Sequence, residues 1–213
     1  QGIMSQTAIR TKPLYLAAKR VFDAAASAVA LVVLSPVFLV VAVLILCEDG
    51  RPILYKQERV GRNGVPFQMY KFRTMRVDAD DLLTPEQRRE YQQEFKLEHD
   101  PRVTRIGRTL RLSSLDELPQ LLNILKGDMS FVGPRPIIER EFDNYTEEEI
   151  REFQSLKPGL TGYWQAFARN DATYQSGERQ TMEMYYVRNA SAWLDVRILF
   201  KTVDAVVHKS GVK

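Results

Sequence analysis

Between Asp23 and Glu48 the chain carries no charged residue. At about 1.5 Å per residue that stretch makes a helix of roughly 36 Å, long enough to cross a bilayer. A Ser35-Pro36 pair interrupts it near the middle. Proline removes one helical hydrogen bond, its ring clashes with the carbonyl four residues back, and it disfavours helical geometry at Ser35. The pattern therefore predicts a broken, re-entrant helix over 19–47 that dips into a membrane and returns to the cytoplasmic face. Arg10, Lys12, Lys19 and Arg20 precede the run, and Arg51, Lys56 and Arg59 follow it, so basic residues mark neither end as the inside one. A proline-kinked spanning helix and a buried core helix are the alternatives that the pattern leaves. A removed signal peptide is disfavoured, because the run is long and no small-residue cleavage pattern follows it.

Downstream, the alternation over 67–75 predicts a strand with Lys71 and Arg73 projecting together. Thr84-Pro85-Glu86-Gln87 combines an N-cap threonine, a proline at the first helical position and a capping-box glutamine. The helix it opens runs to about Glu98 with charges on most sides. Thr146-Glu147-Glu148-Glu149 is a second capping box, and Lys157-Pro158-Gly159 ends that helix. The segment 193–209 has an apolar stripe through Val196, Leu199, Phe200, Val203 and Val207, suited to a core or to a membrane interface. No internal repeat or low-complexity segment interrupts these elements.

Composition narrows the picture. From Glu48 onward the chain is polar and long enough for one compact domain with its own core, and the elements add up to a helix-rich α+β fold. The expected division is an N-terminal tail over 1–18, the broken membrane helix over 19–47 and a cytosolic domain over 48–213. Gln1-Gly2 reads as a protease-cleavage scar. The net charge of +3 is too small to imply nucleic acid, and no interleaved aromatic and basic pattern of that kind occurs; a phospholipid membrane surface accounts for it. Cys47 is the only cysteine, and His99 and His208 are far apart in sequence. Zinc fingers, disulfide frameworks and cysteine nucleophiles are excluded, and a serine-histidine triad is disfavoured. Chemistry here must use carboxylates, arginines, lysines or a bound metal.

The most informative polar cluster is Ser113-Ser114-Leu115-Asp116-Glu117-Leu118-Pro119-Gln120, opening an apolar helix over 121–125 that stops at Gly127. Ser114 and Glu117 have capping-box spacing, and a helix dipole favours acidic residues in a first turn, so a plain cap explains the pattern. The same position keeps Asp116 ionised beside helix-start amides that bind phosphate oxygens, which suits a nucleophile. Arg102, Arg105, Arg108 and Arg111 recur every third residue before it, and Gly133-Pro134-Arg135-Pro136 follows it. A solvated or headgroup-facing surface accounts for the first three arginines; Arg111 is the one best placed to face Asp116. Two prolines restrict the backbone around Arg135, and a planar guanidinium suits paired diphosphate oxygens. Gly61-Arg62-Asn63-Gly64 is too short for a nucleotide loop and reads as a turn.

Seven ordered motifs carry a family resemblance: Lys19-Arg20-Val21-Phe22-Asp23, the Ser35-Pro36 break, Gln57-Glu58-Arg59-Val60-Gly61, Tyr70-Lys71-Phe72-Arg73-Thr74-Met75, Leu115 to Gln120, Gly127 to Pro136 and Lys157-Pro158-Gly159-Leu160-Thr161-Gly162. Over about 15–205 the chain resembles the bacterial sugar transferases, the monotopic polyprenyl-phosphate hexose-1-phosphate transferases, or phosphoglycosyl transferases. The resemblance implies a catalytic cytosolic domain that moves a sugar 1-phosphate from a UDP-sugar to undecaprenyl phosphate in the bacterial cytoplasmic membrane, releasing UMP and beginning a lipid-linked glycan. It implies that Asp116 is the nucleophile, forming a phosphosugar ester, with Glu117 in positioning or proton handling and Mg²⁺ at Asp116. Lys71, Arg73, Arg111 and Arg135 fall where phosphates are expected to be held. Arg169-Asn170-Asp171 resembles a motif near the nucleotide or sugar, although Ala168 stands where the family usually has glycine. Asp195 is a lesser candidate. A membrane-anchored nucleotide-sugar-binding or scaffold protein without catalysis is the alternative of a different class. The sugar is not specified, and self-association is left open.

Overall fold

In the computed structural model, residues 13–94, 97, 100–168 and 177–207 are described. They divide into two units: one drawn from 13–29, 58–69 and 122–207, the other from 30–57 and 70–121. The architecture is helix-rich α+β, with two small two-stranded sheets among the helices of the described residues.

The second unit contains the break in the apolar run. Helix α1 (Pro13–Val33) stops at Leu34, and α2 (Ser35–Asp49) restarts with Pro36 in its first turn, the pair being bent by 60°. Proline is tolerated there because first-turn amides have no intrahelical partner. Ser35 Oγ donates to the Val32 carbonyl at 2.8 Å, occupying an acceptor at the end of α1. Among the described residues no single helix is long and apolar enough to cross a membrane, and the bent pair passes that test only together. Helix α1 begins at Pro13, so the 18/19 boundary falls inside a helix.

Strands β1 (Leu54–Val60) and β2 (Pro66–Phe72) form a hairpin. Val41 and Ile45 of α2, Phe72 and Leu110 make the buried core of the second unit, where Leu110 belongs to α4 (Arg105–Ser113). Helix α3 (Pro85–Glu94) opens with the expected reciprocal cap, Gln87 N to Thr84 Oγ1 at 3.2 Å and Thr84 N to Gln87 Oε1 at 3.1 Å. Its expected continuation to Glu98 lies largely outside the described residues.

In the first unit, β3 (Ser130–Val132) pairs in parallel with β4 (Gly159–Thr161), Ser130 opposite Gly159 and Val132 opposite Thr161. A Cβ on Gly159 would lie 2.1 Å from the Gly133 nitrogen, so close backbone approach requires glycine here. Helix α5 (Gln120–Lys126) precedes β3, and α6 (Glu147–Gln154) carries the expected capping box on Thr146. Helices α7 (Tyr163–Phe167), α8 (Glu178–Asn189) and α9 (Ala192–Val207) surround a core that includes Val132, Phe153, Tyr186 and Ile198.

Helix α9 has two apolar faces. Leu194 and Ile198 are buried, whereas Trp193, Val196, Phe200 and Val203 are exposed. Most of the stripe read from sequence thus faces outward, because the core takes the i, i+4 pair on the other side.

Candidate active site

In the second unit, the turn bearing Asp116 is suspended from α4. Thr104 Oγ1 accepts from Gly107 N at 2.9 Å, and the Glu48 carboxylate at the end of α2 accepts from Arg105 N and Ile106 N at 2.8 and 2.9 Å. The first amides of α4 are thereby satisfied, and its dipole is matched by an anion. The chain leaves α4 through Ser114, which has φ 56° and ψ 17° and caps the helix C-terminus. Left-handed backbone costs a non-glycine residue of the order of 1 kcal/mol. It turns the chain sharply into the single 3₁₀ turn Leu115–Glu117. The expected capping box from Ser114 to Glu117 does not form, because the left-handed conformation is not that of an N-cap and the Ser114 side chain makes no cap hydrogen bond.

Adjacent carboxylates in that turn have different surroundings. Lys71 Nζ donates to Glu117 Oε1 at 2.9 Å. Asp116 forms no ion pair among the described residues. Burial and the neighbouring Glu117 push its pKa up to about 6, with Lys71 and Arg111 offsetting part of the rise. The expectation that a helix dipole lowers the proton affinity of Asp116 is corrected: α5 starts only at Gln120, and the 3₁₀ turn supplies too short a dipole to outweigh desolvation. Arg111 Nε donates to Thr74 Oγ1 at 2.9 Å, fixing that side chain.

Arg73 is directed elsewhere. Strand β2 ends at Phe72. The Arg73 Nε donates to the Pro52 carbonyl at 2.6 Å, one terminal nitrogen donates to the carbonyls of Asp49 and Gly50 at 2.9 and 2.8 Å, and the other pairs with the Asp49 carboxylate. The expected joint projection with Lys71 is therefore corrected: Arg73 is 7% exposed and its donors are committed to the end of α2. Arg102, likewise buried, pairs with Asp100 at 2.7 Å; it does not belong to a solvated arginine face.

Arg135 lies in the first unit on a loop held from several directions. Gly133 N donates to Thr161 O at 3.0 Å, Gly159 N to Pro134 O at 2.8 Å, and the Arg59 guanidinium to Pro136 O at 3.2 Å. Arg135 N donates to Glu183 Oε2 at 3.2 Å, and the Arg135 guanidinium stands 5.5 Å from the Trp164 ring centroid, with Arg179 at 4.4 Å from the same ring. Glu183 is 1% exposed. Its burial pushes its pKa up to about 7 against the lowering influence of Arg135 N–H and of both guanidinium groups. Trp164, Arg179 and Glu183 were not singled out by sequence reasoning. The available signal was an acidic residue between Met182 and Met184 in an otherwise mixed helix. Arg169 lies outside the described residues. Asp195 is a buried acceptor for Lys19, Tyr15 and Tyr186 at 2.5, 2.6 and 2.7 Å, which gives it a packing role.

For Mg²⁺, Asp116 and Glu117 supply hard oxygen donors, and among the described residues no group of three or more His, Cys, Asp or Glu side chains is gathered. The pair suits a cation that draws its other ligands from phosphate oxygens and water, as Mg²⁺ commonly does.

Against known proteins, the model of the bacterial sugar transferase family matches residues 14–209. The chain belongs to that family. The motif resemblance is thereby borne out. The chain is 43% identical over 206 residues to the exopolysaccharide production protein ExoY of Rhizobium meliloti, covering 94% of this chain and 90% of ExoY. It is 42% identical over 199 residues to the undecaprenyl-phosphate galactose phosphotransferase of Salmonella typhimurium, covering 91% of this chain and 41% of that protein. It is 36% identical over 206 residues to the UDP-N-acetylgalactosamine-undecaprenyl-phosphate N-acetylgalactosaminephosphotransferase of Aeromonas hydrophila, covering 94% of this chain and 46% of that protein. The chain spans less than half the length of these last two relatives. The matched region takes in the Asp116 turn, the loop bearing Arg135 and the bent helix pair.

Proposed function

We propose that this protein transfers a sugar 1-phosphate from a UDP-sugar to undecaprenyl phosphate at the cytoplasmic membrane of a bacterium, beginning a lipid-linked glycan. The observation that carries the reading is the division within the dyad: Glu117 is engaged by Lys71, while Asp116 next to it has no ion pair among the described residues. The relatives' names, which specify undecaprenyl phosphate and sugar-phosphate transfer, support it.

In this mechanism an Asp116 carboxylate oxygen attacks the β-phosphorus of the UDP-sugar. The bond from that phosphorus to the oxygen bridging to the α-phosphorus breaks, and UMP leaves. The phosphosugar is then an acyl phosphate on Asp116. A phosphate oxygen of undecaprenyl phosphate attacks the same phosphorus, the bond to Asp116 breaks, and the carboxylate is restored with the sugar on a lipid diphosphate. Splitting one transfer into two displacements is the usual gain from a covalent nucleophile. Lys71 holds Glu117 in place and, with Arg111, adds positive charge near Asp116, where charge develops on the transferred group. Arg135 and Arg169 are assigned to the donor by their motifs. Bound Mg²⁺, held by Asp116 with Glu117 beside it, would neutralise diphosphate charge.

The anchor belongs to the proposal. Helix α4 is tied to α2 through Glu48 and the core around Val41, Ile45, Phe72 and Leu110. With the bent pair inserted in one leaflet, the Asp116 turn is fixed in depth relative to α2, as attack on a phosphate at the lipid headgroup layer requires. UMP release from a panel of UDP-sugars, with and without undecaprenyl phosphate, tests the reading and identifies the sugar. Binding of UDP-sugars without any UMP release would favour a non-catalytic role.

A further inference from the structure

In the first unit, the N-terminal half of α1, strand β3 and the segment 155–157 line a cavity of about 130 Å³. None of the residues assigned to the reaction lines it. Its walls include Lys19, Arg20, Asp23, Arg62, Ser130 and Lys157. These cations are not equivalent. Lys19 is neutralised by Asp195 at 2.5 Å. Arg20 donates to the carbonyls of Ile124 and Leu125, both at 2.8 Å, at the C-terminal end of α5. Lys157 is half-buried and has neither an ion pair nor a hydrogen bond among the described residues. A Cβ placed on Gly127 would meet both the Arg20 guanidinium at 3.2 Å and the Lys157 ammonium at 3.3 Å, so these two cations crowd one point.

Burial, and then repulsion from Arg20 and Arg62, push the Lys157 pKa down, with Asp23 and Asp128 opposing. Besides the Lys19–Asp195 pair, three cations face two carboxylates, leaving an excess of one positive charge. Asp23 already accepts from Phe131 N at 3.2 Å. Ser130 is 1% exposed, and its Oγ has no hydrogen-bond partner. A buried hydroxyl without a partner is destabilising unless something supplies one. An unpaired ammonium and an unpartnered hydroxyl on one small cavity call for an anion that accepts hydrogen bonds.

We propose that this cavity binds a phosphate group, taken by the Lys157 ammonium and the Ser130 hydroxyl, with Arg20 and Arg62 adding charge around it. Its volume is below the roughly 300 Å³ of sites that enclose drug-sized molecules, so it suits a single phosphate group and not a whole nucleotide. Two sources offer that chemistry: free phosphate and a phospholipid headgroup. Lys19 and Arg20 lie about one helical turn before Ala24, where the charge-free run begins. The lipid source rests on the membrane insertion proposed above; the phosphate site itself does not.

The test uses the whole protein in a phosphate-free maltoside detergent without Mg²⁺ or sugar nucleotide, comparing wild type, Lys157→Met and Arg62→Ala by thermal unfolding. Arg62 is exposed, so its variant probes the site with little risk to the fold. One arm adds inorganic phosphate against potassium chloride of equal ionic strength; the other adds short-chain phosphatidylglycerol against a carboxylate amphiphile of equal charge. At tenfold excess over its Kd, the true ligand should raise the wild-type midpoint by about 4 °C. Lys157→Met should lose most of that rise and Arg62→Ala part of it. The responding arm names the source. No wild-type response in either arm, or equal responses in all three proteins, would overturn the site. UMP release from a separate portion of the same protein, supplied with Mg²⁺, a UDP-sugar and undecaprenyl phosphate, reports separately on the proposed reaction.

Discussion

Lys71 Nζ lies 2.9 Å from Glu117 Oε1, and this one contact divides two adjacent carboxylates into a held residue and an unpaired one. The pair is partly exposed, so its contribution to stability is at most about 1 kcal/mol, while its proposed role in orienting the dyad is large. Lys71→Met should therefore lower turnover at least tenfold with a melting midpoint within a few degrees of wild type. Turnover near wild type would remove Lys71 from the site.

Arg135→Lys should be severely impaired although the charge is kept. A lysine cannot reproduce a planar fork on two phosphate oxygens, nor place a flat delocalised cation 5.5 Å from the Trp164 ring centroid. Steady-state kinetics should show more than a tenfold loss in kcat/KM. Activity within about threefold of wild type would assign Arg135 to the fold.

Glu183 gives a pH dependence of stability. Its folded-state pKa is raised to about 7 from an ordinary 4.5, so between those values the folded protein holds a proton that the unfolded chain has lost. Stability should accordingly fall as pH rises from 4.5 through 7, by up to roughly 3 kcal/mol. Glu183→Gln should flatten that slope in denaturant titrations at a series of pH values. Parallel slopes for the two proteins would contradict the assignment.

The break at Leu34 can be straightened. Ser35→Ala with Pro36→Ala restores an amide donor and removes the ring clash, favouring a continuous helix by about 3 kcal/mol. In a Cys47→Ser background carrying Thr7→Cys, an impermeant thiol reagent applied to intact cells should leave the re-entrant protein unlabelled and label the straightened one. Labelling of the protein with the native Ser35-Pro36 break would replace the re-entrant anchor with a spanning helix.

Local signals in the sequence were read well where the structure stays local. The capping boxes at Thr84 and Thr146 depend on neighbours three residues apart and form as expected. Pro36 dictates the break locally, because it lacks the amide that a continuous helix would direct back to the Val32 carbonyl. Ser114 escaped because its left-handed conformation follows from the exit of α4, not from the residue spacing that suggested a cap. Arg73 escaped because strand alternation extends its direction past Phe72, whereas carbonyls around the end of α2 capture the guanidinium. Glu183, Trp164 and Arg179 meet Arg135 from α7 and α8, elements whose packing no single stretch of sequence encodes.

In the proposed reaction Asp116 carries the phosphosugar. The direct measurement incubates the protein with a UDP-sugar labelled in the β-phosphate, without undecaprenyl phosphate, and follows both UMP and label on the polypeptide. Wild type should give a burst of up to about one UMP per protein and a hydroxylamine-labile label, and Asp116→Asn should give neither, with turnover in the presence of acceptor lower by several orders of magnitude. UMP released only when the lipid acceptor is present, with no trapped label, or near-normal turnover by folded Asp116→Asn, would contradict it.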